Sequence, residues 1–117
     1  MLLLALTLAS TTSLSGTWQS PLGPLHVTDE RGAVIAVVVG DNACGFQRGV
    51  VVFAGARLDN ATLAGTVTGC RVESAGCAAG TVAGDAILLV DNKASSIKGA
   101  AHLELGAGCR GPVTTTL

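Results

Sequence analysis

The chain has 117 residues and a net charge of −1, enough for one domain of ordinary size. Apolar residues make up 49% and charged residues only 13%, which excludes a disordered chain, since disorder needs charge and few aliphatics. With 3% aromatics and no basic stripe, the composition also speaks against binding nucleic acid, which needs cations for phosphates and rings for bases.

Residues 1–13 open the chain. Leu2 to Leu8 is an apolar run the length of a short signal-peptide core, with small residues Thr7 and Ala9 before Ser10, and Thr11 and Ser13 before Leu14. Residues 1–13 therefore read as a signal peptide or the remnant of a longer leader, although one element of a signal peptide is missing, since no Lys or Arg precedes the run. The run is too short to span a bilayer, which takes about 20 apolar residues. The alternative is a buried first strand or a short helix. Residues 14–117 then form a single domain, expected to be secreted or periplasmic.

From Leu14 onward strand formers dominate. Val and Thr supply 25 residues, both stiffened by β-branching, whereas Glu, Lys, Gln and Met together supply eight. Strands are predicted at 15–20, 24–29, 33–39, 48–57, 61–69, 77–83, 86–91, 96–105 and 109–116. Leu25 to Thr28, Thr62 to Gly69 and Ala101 to Leu105 alternate, as strands with one wet face do. Ala33 to Val39, Val50 to Ala54 and Ala86 to Val90 are apolar on both faces, which calls for a cover: another sheet, a second subunit, a ligand or the protein's own loops. Asp41-Asn42, Asp59-Asn60 and Asp91-Asn92 mark turns, because both residue types tolerate the left-handed region. Two of these turns open similar stretches ending in Gly69-Cys70-Arg71 and Gly108-Cys109-Arg110, either a gapped repeat of one hairpin or chance in a chain rich in Gly and Ala. The predicted fold is all-β: a small up-and-down antiparallel barrel of about eight strands, or a small sandwich.

Cys44, Cys70, Cys77 and Cys109 are even in number and follow a leader-like start, so two disulfides are expected rather than free buried thiols. Reflecting the chain about Glu73-Ser74 sets Cys70 opposite Cys77, which leaves Cys44 for Cys109. Neither His26 nor His102 has ligand-like spacing to a cysteine, and no metal or cofactor is expected.

Leu14-Ser15-Gly16-Thr17-Trp18 resembles the first strand of the calycin barrels, the lipocalin and avidin group, whose signature there is Gly-x-Trp. The stretch from Ser15 to Thr28, with its Leu22-Gly23 pair, looks most like avidins. The likeness covers about 15 of 117 residues. Avidins place an Asn and a Ser where this chain has Ser20 and Pro24, and they enclose biotin with several Trp residues where this chain has one. Biotin binding is therefore not implied. In lipocalins the Trp closes one barrel end and stacks with a basic residue of the last strand. The resemblance implies that role for Trp18 and Arg110, beside the simpler reading of Trp18 as core filling.

Catalytic chemistry finds little footing. Gly106 to Gly111 fits a dinucleotide fingerprint in letters only, because no room remains for the helix behind it. No nucleophile elbow occurs, His102 beside Glu104 reads as a solvated pair, and Asp29-Glu30-Arg31-Gly32 reads as a hairpin turn. Asn60-Ala61-Thr62 matches a glycosylation sequon, relevant only in a eukaryotic secretory route. The expectation is a non-catalytic secreted barrel that binds a small ligand or a partner protein, including an enzyme to be inhibited, through its mouth or loops. Asp41 to Phe46 and Arg71 to Gly76, each bordered by Cys, are the better-placed loops. The alternative is a structural subunit of a homo-oligomer or larger particle, assembled through apolar strand faces.

Overall fold

The computed structural model describes residues 13–71, 73, 77–91, 96–104 and 113–116. Among them the chain is all-β, with no helix, and its strands follow one another as an antiparallel meander. The strands are β1 (Gly16–Gln19), β2 (Pro24–Glu30), β3 (Ala33–Val38), β4 (Val51–Arg57), β5 (Thr62–Arg71), β6 (Gly80–Val90), β7 (Ile97–Glu104) and β8 (Val113–Thr114). The sheet order is β1 to β7 in sequence, and β8 pairs with the end of β5. Because β6 fills one edge of β5 from Thr62 to Arg71, β8 takes the opposite edge, beyond the stretch where β4 pairs.

The sheet curls on itself into a half-barrel. It is a single sheet and not a sandwich, and no described ladder joins β1 to β7. The curl has a cause in the sequence. Across the concave face, Val34 stands opposite Gly55, Gly55 opposite Gly65, Gly65 opposite Ala86, and Ala86 opposite Ala101. Small residues on the inside of a bend let neighbouring backbones approach. A Cβ added at Gly65 would run into the Ala54 carbonyl and the Cα of Gly55. The Phe53 ring lies over the same spot, with its Cζ 2.8 Å from where a Gly55 Cβ would stand, which restores apolar cover to a bare backbone.

The concave face carries the core: Leu25 and Val27 of β2, Val34, Ala36 and Val38 of β3, Leu63 and Val67 of β5, and Ala86, Leu88 and Val90 of β6. Their period of two is the alternation that the sequence shows. Between β3 and β4 the register shifts, so that Ala36 meets Phe53 while Val37 meets Val51. Val52 is the extra residue of this bulge, and it turns inward beside Phe53, leaving both buried. The run Val50 to Ala54 thus gains its apolar character from a bulge.

Several expectations change here. The predicted strands 77–83 and 86–91 are one strand, β6. Gly84 reads as a break but serves close approach instead: it faces Leu103, and a Cβ there would strike the His102 carbonyl. The outer faces of β3 and β6 are uncovered in this chain, with Ile35 42%, Ile87 49% and Leu89 57% exposed. The cysteine pairing also differs. Cys44 is bonded to Cys70, with a Cα–Cα distance of 5.6 Å, so neither a Cys70–Cys77 nor a Cys44–Cys109 bridge forms. The β5–β6 register explains this, because Cys70 stands opposite Thr81, four residues past Cys77. Cys77 is buried and is not a free thiol, while Cys109 lies outside the described residues.

Candidate functional site

Where β1 and β7 fail to meet, a cavity of about 240 Å³ opens into the concave face. Its floor is apolar and drawn from most of the sheet: Leu25 and Val27, Val34 and Ala36, Phe53, Leu63, and Leu88. Trp18 and Gln19 of β1 border it on one side, and Ser96 with Ile97 at the start of β7 on the other. Ser20 and Thr116 complete the lining, and no charged side chain stands among the described lining residues.

The polar members of this lining divide by role. The Trp18 indole N–H donates to the Leu14 carbonyl at 2.8 Å, so its one donor is spent within its own segment. The Ser20 hydroxyl donates to the Gly23 carbonyl at 2.8 Å and accepts from the amides of Leu22 and Gly23, which builds the β1–β2 turn. Exposed Gln19 and Ser96, with half-buried Thr116, are the groups that remain to meet a ligand. Trp18 packs at the edge of the core, half-buried. Its expected stacking partner Arg110 lies outside the described residues.

One end of the half-barrel is closed by charge. Asp29 continues the inward phase of Leu25 and Val27, and its Oδ2 accepts from Arg57 Nη2 at 2.8 Å, Arg57 Nε at 3.3 Å and the Leu14 amide at 2.9 Å. The side chains of Arg57 and Asp29 are only 10% and 6% exposed. Burial alone pushes the Asp29 carboxyl up, but the Arg57 and Leu14 hydrogen bonds and the Arg57 charge outweigh it and hold the group below its ordinary value. Sequence reasoning ends the strand at Asp29, beside the Arg31-Gly32 turn, and assigns the carboxylate no partner. The signal that it missed is the parity Leu25, Val27, Asp29. The turn itself follows at Arg31-Gly32, both with positive φ (54° and 84°), the conformation of a two-residue hairpin connection.

The segment between β3 and β4 is the second expected site. Asn42 organises it: Oδ1 accepts from the amides of Cys44 and Phe46, while Nδ2 donates to the carbonyls of Gly40 and Phe46. The Ala43 amide donates to the Leu22 carbonyl at 2.8 Å. With the Cys44–Cys70 bridge, these bonds fix Asp41 to Phe46 as a shaped loop in which Asp41, Ala43 and Gly45 are exposed, followed by exposed Gln47 and Arg48. The other expected loop, Arg71 to Gly76, lies mostly outside the described residues.

His26 and His102 are both exposed, on the convex face, and His102 stands opposite Asp85. Among the described residues no three His, Cys, Asp or Glu side chains are grouped to hold a metal ion, and no helix is long and apolar enough to cross a membrane. No family model, curated protein or solved structure matches the chain.

Proposed function

We propose that the protein is a non-catalytic, secreted or periplasmic binding protein that holds a small apolar ligand in the cavity between β1 and β7. The observation that carries this reading is the cavity of about 240 Å³ with an apolar floor, bordered by residues of β1 and β7, which no described ladder joins. An apolar concavity with a few polar groups at its rim is the usual form of a small-molecule site. The size lies between an engineered cavity of about 150 Å³ that takes benzene and the roughly 300 Å³ at which drug-sized sites begin. The ligand is therefore small. It is also neutral, because an unpaired charge on this floor is costly to desolvate. The Cys44–Cys70 bridge fits an oxidising compartment.

The test is displacement of the neutral dye 1-N-phenylnaphthylamine by 1-octanol and by octanoate, followed through dye and Trp18 fluorescence. Displacement by the alcohol and not by the carboxylate is expected. Ala36→Phe, which fills the floor, is expected to abolish dye binding while preserving the β-sheet circular dichroism spectrum. Dye binding unchanged in the filled variant overturns the assignment of the cavity.

A second reading, assembly into a homo-oligomer, is favoured by one observation. Exposed Ile35, Ile87 and Leu89 share the convex face with exposed Ala33, Ala54, Ala56 and Ala100. An apolar patch of this kind marks interfaces. A monomer by light scattering at micromolar concentration removes that reading.

A further inference from the structure

The chain passes from solvent into the core between Ser13 and Leu14. Ser13 is exposed, and its hydroxyl accepts only the Ser15 amide, at 3.1 Å, among the described bonds. Leu14 is 1% exposed. Its carbonyl accepts the Trp18 indole N–H, and its nitrogen points at Asp29 Oδ2 from 2.9 Å. In sequence, the same junction follows the apolar run Leu2 to Leu8, with small residues Thr11 and Ser13 at the third and first positions before it.

We propose that the chain is cut between Ser13 and Leu14 and that the new α-ammonium of Leu14 seats on the Asp29 carboxylate, locking β1 onto β2. This rests on the export reading above. The step is a hydrolysis by a leader peptidase of the export route. Water adds to the Ser13 carbonyl carbon, the bond to the Leu14 nitrogen breaks, Ser13 leaves with a carboxylate, and the nitrogen is protonated to an ammonium.

The exchange strengthens an interaction already in place. An amide N–H offers one neutral donor, whereas the ammonium offers three donors and a full charge, and charge-assisted bonds are shorter and stronger. Asp29 has capacity for them, because a carboxylate accepts about four bonds on two oxygens, and Arg57 and Leu14 direct theirs to Oδ2. Removal of exposed Ser13 leaves the far side of the nitrogen in water, so the second cation beside Arg57 is not stranded. Glu30 and Arg31 in the adjoining turn are both exposed. A cut before Ser10 leaves residues 10–13 attached and the Leu14 nitrogen an ordinary amide.

The experiment exports the full chain with its own N-terminus from a bacterial host and determines the first residue by intact mass and N-terminal sequencing. A start at Leu14 is expected. A start at Ser10 overturns the proposal and leaves the export reading intact; a chain retained with its leader overturns both. On the exported protein, cyanate carbamylation of the α-amine at pH 7 reads the ammonium directly, since only the free amine reacts. Asp29→Asn is expected to speed carbamylation about tenfold, the equivalent of one unit of pKa. Arg57→Gln keeps the carboxylate and is expected to leave the amine slow to react. An Asp29→Asn rate equal to that of the unsubstituted protein, or the same acceleration in both variants, overturns the pairing.

Discussion

Asp29 shows how one side chain can hold two parts of a chain. Its carboxylate joins Arg57 at the end of β4 to the Leu14 nitrogen ahead of β1, both far from it in sequence. Asp29→Asn leaves the Arg57 guanidinium with a weaker acceptor in a nearly closed site. It is expected to cost about 1–3 kcal/mol, measured by urea denaturation. The sign of the pH effect follows from the lowered value of the carboxyl. The stabilisation is complete above the ordinary value of 3.8 and is lost as pH falls through the lower folded value. Acid unfolding of the unsubstituted protein should show this loss, and Asp29→Asn should show less of it. The Asp29 role was only half legible in the sequence. The parity with Leu25 and Val27 points inward, but Asp-Glu-Arg-Gly is also a turn signal, and the partner Arg57 is 28 residues away. No local pattern reveals such a partner.

At the scale of strands, the alternations of β2, β5 and β7 are readable because one face of β2 and β5 is buried and the inner face of β7 is half-buried against the core. Glycine was the ambiguous letter. At Gly32 it marks a turn by its positive φ, while at Gly84 it marks a close approach inside a strand. The two uses look alike in a sequence, which is why β6 was divided. Gly65→Val is expected to destabilise by more than about 2 kcal/mol, because the side chain meets backbone on β4 that no rotamer change can move. A variant with wild-type thermal stability would show that the curl does not need this contact. The disulfide was misassigned for a related reason: a four-residue difference in register changes which strand positions face each other. The Cys44–Cys70 bridge spans 26 residues, so the chain-entropy account assigns it about 3 kcal/mol. The Cys44→Ser, Cys70→Ser double variant should lose that amount in denaturant unfolding. Peptide mapping under non-reducing conditions should return Cys44 with Cys70 and Cys77 with Cys109.

For the molecule as a whole, the class of fold was legible and its closure was not. Strand count and strand type come from local periodicity, but whether a sheet of seven strands meets itself depends on the accumulated tilt and stagger of all of them. The cavity is lined by residues from every strand from β1 to β7, so it could not be inferred from any one segment. The unusual scarcity of charge also has a structural meaning. The convex face of β3 to β6 carries mostly Ala, Thr and a few aliphatics, with Asp85 as a charged member, which suits either a sparsely solvated surface or contact with a second copy.

β1 has four residues and, among the described residues, pairs on one side only, with β2. β5 and β6, by contrast, are joined along ten successive pairs. Local stability is therefore steeply graded, with its low end beside the cavity. On the proposed reading, a molecule held in the cavity lies against the least extensively paired long edge of the sheet. Amides of Gly16 to Gln19 are accordingly expected to exchange with deuterium faster than those of β5 and β6, measured by mass spectrometry. Acid, by protonating Asp29, should quicken that exchange.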